Sequence, residues 1–344
     1  MTLLLLPLIL PEIIPVETRY RAASRRTGPS DWLTKVALED KSDLDILFVG
    51  GSDILTNIDH NVLASEFKKS GVNLKSASVG MTWANTDFTF FYLKDLFKNR
   101  KVKVVVLPLH NGQGFSHSAT KFIHRFDSSD PELRFRAWRI ALTNYAEMSL
   151  ISLRLMTAGL FAPGKQTLVG YQFWRDVGEQ EEKNQGTWLA RVDYSTVPTV
   201  EMSRIKENGF VDAPIISPVE GYVVTRYGEK LPSDVSTSSD ALGSFESTYY
   251  VAIKELCERN NAVLLLMNQP IPFREQESVT IPEASLRLGI PILTAPIRAL
   301  FGDRKSEEIK KYFYNDGHFN ANGAKQNAYA VARTLLPFVT GGAR

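Results

Sequence analysis

The chain of 344 residues contains a single cysteine, Cys257, and this scarcity excludes two kinds of stabilisation. One cysteine cannot form a disulfide within the chain, and it cannot build a zinc site that uses several cysteines. Cys257 lies in an apolar helical pattern, where a thiol packs as a small hydrophobic side chain. The fold must therefore depend on a hydrophobic core, for which 44% hydrophobic residues are sufficient at this length.

The sequence also lacks an excess of charge of either sign, with 40 Lys and Arg against 38 Asp and Glu. Proteins that bind nucleic acids usually carry a clear excess of basic residues, so we expect no nucleic-acid partner here. A nucleotide-binding α/β domain is suggested only weakly by Gly50 and Gly51, because neither a GxGxxG motif nor a phosphate-loop lysine follows the first apolar strand.

Long hydrophobic runs are scarce as well. The amino-terminal run, residues 1–16, is shorter than the roughly 20 residues that cross a bilayer as a helix. It contains prolines and Glu12, and it lacks the basic start and cleavage site of a signal peptide. Several arginines follow by residue 26, as is common beside a lipid surface. We interpret residues 1–26 as a truncated or membrane-proximal anchor segment, with an apolar segment packed against the domain as the alternative.

Continuous apolar runs predict the strands of a parallel sheet that is buried on both faces. They are Asp45 to Gly50, Leu74 to Val79, Val102 to Leu107, Ala262 to Met267 and Ile290 to Leu293. Helical patterns lie mostly between them, at Val62 to Lys69, Asp87 to Asn99, Ser247 to Asn260 and Ala324 to Leu336. The alternation predicts a three-layer, doubly wound α/β fold, whose ligand site lies at the carboxyl ends of the strands.

A long stretch, residues 112–245, interrupts this alternation between the third and fourth predicted strands. Its first part reads as helical and its second part, from Gly170 to Ser239, as irregular. Insertions of this length near a site are usually lids or specificity elements. The domain is therefore expected to cover residues 27–344, with the insertion interrupting it.

Ser52 follows the first strand directly, after two glycines, which predicts a sharp turn with an accessible hydroxyl. That placement suits a nucleophile, because the hydroxyl needs both access and a neighbouring base. The alternative is a helix N-cap, a role that Asp53 could fill equally well.

His318 stands in a predicted turn before the last helix, in the sequence Asn315-Asp316-Gly317-His318. A neutral imidazole can accept the serine proton and return it to a leaving group. The alternative is that His318 is a structural turn residue whose ring is hydrogen-bonded to the backbone. His60, His117 and His124 are expected at the surface, and His110 is a candidate lining residue after the third strand.

Taken together, these motifs resemble the SGNH/GDSL-type hydrolases. That family uses a serine after its first strand, a glycine after its second, an asparagine after its third and a late Asp-x-x-His. Here the matching residues are Ser52, Gly80, Asn111 and His318. The resemblance implies an oxyanion hole formed by the Ser52 and Gly80 amides with the Asn111 side chain. It covers residues 45–110 and 245–338, implies no cofactor or metal, and does not extend to the insertion.

One departure concerns the residue three positions before His318, where the family usually has aspartate and this chain has Asn315. An asparagine can orient an imidazole but cannot stabilise an imidazolium as a carboxylate does; the corresponding change in a serine protease lowers turnover about ten-thousandfold. Asn315 and Asp316 remain equal candidates for the orienting group. The first motif also departs mildly, with Gly-Gly-Ser in place of Gly-Asp-Ser.

The resemblance implies an O-acyl esterase or acyltransferase that acts on a carbohydrate or cell-envelope glycopolymer through an acyl-serine intermediate. The apolar lead and the insertion are most similar to anchored envelope proteins of alginate O-acetylation and teichoic-acid D-alanylation, which act beside a membrane-embedded acyltransferase. The alternative is an inactive scaffold that binds polysaccharide or an assembly partner through insertion aromatics such as Trp174 and Trp188, although such aromatics more often belong to a core.

Overall fold

The structure is a computed structural model of the chain. It describes Val16, Tyr20, residues 33–80, 85–109, Leu133, Phe135, and residues 214–216, 220–233, 235–239, 242–268, 279–295, 297–302, 304–315 and 318–341. Within helices and strands, the side chains of a few of these residues, including Ser52, Tyr314 and Asn315, are not described.

The strands of the described residues form one large sheet and two small ones. They are β1 (Leu44–Gly50), β2 (Ser76–Gly80), β3 (Val102–Pro108), β4 (Val223–Thr225), β5 (Val235–Ser238), β6 (Val263–Asn268), β7 (Val279–Pro282), β8 (Ile292–Thr294), β9 (Phe313–Asn315) and β10 (His318–Phe319). The large sheet has six strands in the order β2-β1-β3-β6-β8-β4, and only β4 runs antiparallel to its neighbour. Strands β5 and β7 pair in parallel, and β9 and β10 pair antiparallel.

Eight helices with defined ends lie mostly between these strands in the described part of the chain. They are α1 (Ser52–Asn57), α2 (His60–Lys69), α3 (Thr86–Leu96), α4 (Ser244–Arg259), α5 (Glu283–Arg287), α6 (Ile297–Phe301), α7 (Ser306–Ile309) and α8 (Ala321–Thr340). A π-helical turn, Lys35–Glu39, precedes β1, and a 3-10 turn, Lys310–Tyr312, follows α7.

Two hydrophobic cores lie on the two faces of the large sheet. Because successive side chains of a strand point to opposite faces, Ile46 and Phe48 of β1 enter one core and Leu47 and Val49 the other. Helices α1, α2 and α8 cover the first face, while α3 and α4 cover the second. The predicted three-layer α/β architecture is therefore confirmed.

The five strands and four helices predicted outside the insertion are present, with ends displaced by a few residues. The helical first part predicted for the insertion lies outside the described residues, apart from Leu133 and Phe135. The sequence pattern missed β4, which lies within the predicted insertion, residues 112–245, and forms an edge of the large sheet beside β8. Three residues are too few to show a strand periodicity, and Val223 at this edge is partly exposed. The chain thus returns to the sheet before α4 begins.

Two residues of the predicted anchor segment are described, and both pack against the domain. Tyr20 is buried, its hydroxyl donates to the Asp95 carboxylate at 2.9 Å, and its ring meets Tyr92 edge-on at 5.7 Å between centroids. Val16 packs against the same core. Residues 1–15 lie outside the described residues, so the anchor itself stays a prediction. No helix among the described residues is long and apolar enough to cross a membrane.

The expectation that His60 lies at the surface is wrong, because its ring is buried between two hydroxyl groups of β2. Its Nδ1 lies 2.7 Å from the Ser76 Oγ and its Nε2 2.8 Å from the Ser78 Oγ. Burial lowers the pKa of His60 to about 4. The ring is therefore neutral and joins the start of α2 to β2. The sequence around His60 is polar, which predicts exposure, and the two serine partners of the ring lie in the next strand.

This burial makes stability depend on pH. Between pH 6.5 and about 4 the unfolded chain binds a proton at His60 that the folded protein does not, so each unit of acidification costs about 1.4 kcal/mol. We expect the wild type to lose about 2 to 3 kcal/mol more unfolding free energy than His60→Gln between pH 7 and pH 4.5. Urea unfolding at both pH values measures the difference. Equal losses, or an NMR titration showing a charged His60 in the folded protein at pH 5.5, would contradict the assignment.

Candidate active site

The turn between β1 and α1 is fixed by the close approach of three elements at Gly50. A Cβ at this position would lie 2.7 Å from Ile54 Cγ1 and 2.7 Å from Pro108 Cδ, so any side chain would displace α1 or the end of β3. Gly51 occupies the N-cap position in an extended conformation and offers no capping side chain. Ser52 is consequently the first residue of α1, and the N-cap alternative considered for it is wrong.

The predicted oxyanion glycine lies directly beside this turn. Gly80 ends β2, is buried, and pairs with Gly50 in the parallel register of β1 and β2. Neighbouring strands are separated by about 4.8 Å, so the two strand ends form one edge of the site. The structure thus brings together the backbones of Gly80 and the Ser52 turn.

The third predicted oxyanion residue, Asn111, lies outside the described residues, as does His110. The strand that leads to them is well fixed at its end. The Leu109 amide donates to the Met267 carbonyl at 2.8 Å, and the buried Tyr250 hydroxyl donates to the Pro108 carbonyl at 3.0 Å. The chain therefore leaves β3 at the same sheet edge as Gly50 and Gly80.

The late histidine begins β10, in the small antiparallel pair with β9. His318 pairs with Asn315, and Phe319 with Phe313. Strand β10 contacts α1 and also the final helix α8. The structure therefore places the helix that starts at Ser52 against the strand that starts at His318, although almost the whole sheet separates them in the chain.

The start of α8 holds β10 in this position. Asn320 is the N-cap, whose side-chain oxygen accepts from the amides of Asn322 and Gly323 at 3.0 Å each. The backbone amide of Asn320 donates to the Tyr312 carbonyl at 3.0 Å. Gly323 packs so closely that a Cβ there would lie 2.0 Å from that carbonyl oxygen and 2.5 Å from Phe319 Cδ1. The Asn-Ala-Asn-Gly sequence after Phe319 thus has a structural role.

A buried polar network joins the other end of α1 to α8. The Asn327 amide nitrogen donates to the backbone carbonyl of Asn57 at 2.9 Å and to its side-chain oxygen at 2.7 Å. The Tyr222 hydroxyl donates to the Asn327 side-chain oxygen at 2.6 Å. All three side chains are buried, and these bonds replace hydrogen bonds to water, although the Asn57 side-chain nitrogen has no partner among the described residues. The end of α1 is therefore fixed relative to α8, the helix that follows His318 in the chain.

The electrostatic surroundings of His318 favour its neutral form. Burial is the larger effect and lowers the pKa of His318, while the negative charge of Asp53 opposes that shift. The sequence alone suggests for Asp53 only the role of a helix cap. A neutral ring at pH 7 has the protonation state of a general base.

The two candidates for the orienting group stay open. Asn315 is opposite His318 in the β9-β10 register, but its side chain is not described. Asp316 lies outside the described residues. Both assignments therefore stay predictions. Among the residues that the structure describes, no group of three or more His, Cys, Asp or Glu side chains could hold a metal ion.

Comparisons with known proteins add no assignment: no protein-family model matches this chain, and no similar curated protein was found. Function must therefore be inferred from the architecture of the sheet edge and the chemistry of the residues that meet there.

The packing around Gly323 predicts a large effect of one methyl group. We expect Gly323→Ala to lower the unfolding free energy by about 3 kcal/mol, because the added carbon would overlap a backbone oxygen that is fixed by the Asn320 amide. Gly71→Ala is the control: its φ of +78° is unfavourable for alanine, but no atom lies within 4 Å of the added carbon, so about 1 kcal/mol is expected. Urea unfolding compares them, and equal losses would contradict the close packing.

Proposed function

We propose that this protein is a serine-dependent O-acyl esterase or O-acyltransferase with an SGNH-type fold. The observation that carries the proposal is the packing of α1, which starts at Ser52, against β10, which starts at His318. Their meeting point is the carboxyl edge of the parallel sheet, where open α/β folds bind ligands. Gly80 ends the adjacent strand at the same edge.

In the proposed reaction, the Ser52 hydroxyl attacks the acyl carbon of an ester while His318 accepts its proton. The carbonyl oxygen becomes an oxyanion, stabilised by the amides of Ser52 and Gly80 and by the Asn111 side chain. One such donor is typically worth about a hundredfold to a thousandfold in rate. The bond to the alcohol oxygen then breaks, and His318 returns the proton to that oxygen. The product of this half-reaction is an acyl-serine.

The second half-reaction decides between hydrolysis and transfer. A water molecule or an acceptor hydroxyl loses its proton to His318 and attacks the acyl-serine. The Ser52 oxygen leaves and recovers the proton from His318. Neither half-reaction requires a cofactor or metal. Water yields an esterase, and a sugar hydroxyl yields an acyltransferase.

The substrate proposed is an acylated carbohydrate or a cell-envelope glycopolymer. This part of the proposal rests on the resemblance to anchored envelope proteins, on the apolar residues 1–16 and on the insertion, residues 112–245. On the same grounds we propose that the protein lies outside the cytoplasm, at the cell envelope, and acts with a membrane-embedded acyltransferase.

A second candidate function follows from Asn315, which replaces the aspartate expected three residues before His318. Without a carboxylate to stabilise the imidazolium, the site would be weak or inactive. The protein would then be an SGNH-like scaffold that binds polysaccharide or an assembly partner. Its proposed binding residues, Tyr171, Phe173, Trp174 and Trp188, lie outside the described residues.

Labelling by a fluorophosphonate probe separates these functions. We expect the wild type to react and Ser52→Ala to remain unlabelled, because the probe forms a covalent bond to an activated serine oxygen. His318→Gln should react about a hundredfold more slowly, since general-base assistance is lost. Ser70→Ala is the matched control, because Ser70 is an exposed residue at the end of α2 and should not affect labelling.

Persistent labelling of Ser52→Ala would overturn the assignment of the nucleophile. An unreactive wild type that binds acylated polysaccharide, with binding unchanged in Ser52→Ala, would favour the scaffold.

A further inference from the structure

The nucleophile candidate has an acidic neighbour in the first turn of its own helix. Asp53 is the second residue of α1 and the only charged residue among the six of that helix. Its side chain is partly buried. Since the start of α1 is fixed by the close contacts of Gly50 and its end by Asn57, Asp53 occupies a defined position beside the Ser52 turn.

Helix α1 packs against β10, the strand that carries His318. The elements that contact β10 can therefore be searched in turn for charged residues that act on the His318 ring. Strand β9, its backbone partner, has no charged residue. The first charged residue of α8 is Lys325, in the second turn of the helix. On α1 the charged residue is Asp53. Among the described groups it is Asp53 whose charge acts on His318, and it raises the pKa that burial lowers.

We propose that Asp53 is the positioning residue of His318, supplying from the nucleophile helix the carboxylate that the chain lacks at Asn315. This proposal rests on the proposed function. The proton moves from the Ser52 oxygen to His318 and from His318 to the leaving oxygen, and Asp53 takes no part in these transfers. Its negative charge stabilises the imidazolium that exists between these two transfers.

The physical requirement for such a carboxylate is strict in this site. A partly buried imidazolium loses hydration, which makes the charged form of His318 less favourable. An asparagine side chain can accept or donate a hydrogen bond, but it carries no net charge to offset that loss. A nearby carboxylate does offset it, and Asp53 is attached to an element already in contact with β10.

The decisive experiment measures the pKa of His318 directly, in the full chain labelled with ring-13C histidine. His318→Gln identifies the resonance, and NMR titration gives the pKa. We expect a lower His318 pKa in Asp53→Asn than in the wild type, because the attractive charge is removed while the side-chain size is kept. Asp53→Ser is the second neutral variant, used if the first does not fold. Asp53→Glu retains the charge and should restore part of the shift.

Asp59→Asn is the matched control. Asp59 is the N-cap of α2, where its carboxylate accepts from the amides of Asn61 and Val62 at 3.0 and 3.1 Å. Asparagine caps a helix as well as aspartate does, so this variant removes one carboxylate, six residues along the chain from Asp53, without removing the cap. It should leave the His318 pKa unchanged. An unchanged pKa in the neutral Asp53 variants, or a decrease found only in Asp316→Asn, would overturn the proposal.

Kinetics with the fluorophosphonate probe complete the test. We expect Asp53→Asn to react about a hundredfold to ten-thousandfold more slowly, with partial recovery in Asp53→Glu. Reaction at the wild-type rate would overturn the positioning role. The two measurements test different claims. If the wild type does not react but the His318 pKa depends on the charge of Asp53, only the proposed function is refuted. If the wild type reacts but the His318 pKa does not depend on Asp53, only this inference is refuted.

Discussion

The close approach of β1, β3 and α1 at Gly50 is the constraint on which the site depends. A Cβ at this position would lie 2.7 Å from atoms of both Ile54 and Pro108, so the strand end has no room for anything larger than glycine. Because parallel strands end at a common edge, this contact also fixes the neighbouring end of β2 at Gly80. One steric requirement therefore sets the start of α1, and the strand pairing places the Gly80 backbone beside it.

A second set of contacts attaches the histidine strand to the same framework. Asn320 and Gly323 hold β10 against the start of α8, and Asn327 of α8 holds the end of α1 through Asn57. Helix α8 thus contacts both halves of the candidate site. The packing of this one long helix therefore sets how α1, which starts at Ser52, lies relative to β10, which starts at His318, although the two elements are far apart in the chain.

Much of this arrangement could be predicted from sequence, because buried parallel strands and their crossover helices produce long, continuous patterns. The ends of β1, β2 and β3 and the position of His318 before the last helix followed from those patterns. What could not be predicted depends on contacts between distant segments. The partners of His60 are single hydroxyls on β2, the edge strand β4 has three residues, and the influence of Asp53 on His318 requires that α1 and β10 meet.

The location of the carboxylate matters for how such a site can work. A carboxylate in the turn before the histidine moves with the histidine. Such a carboxylate keeps the imidazole oriented even if the turn shifts away from the serine. A carboxylate on α1 moves with Ser52 instead, so under this proposal His318 would gain its stabilising charge only when β10 is packed against α1. Proton transfer and charge stabilisation would then depend on the same contact. Displacing β10 would separate His318 from Ser52 and from Asp53 at the same time, so the packing of α8 would be a condition for the proposed activity as well as for stability.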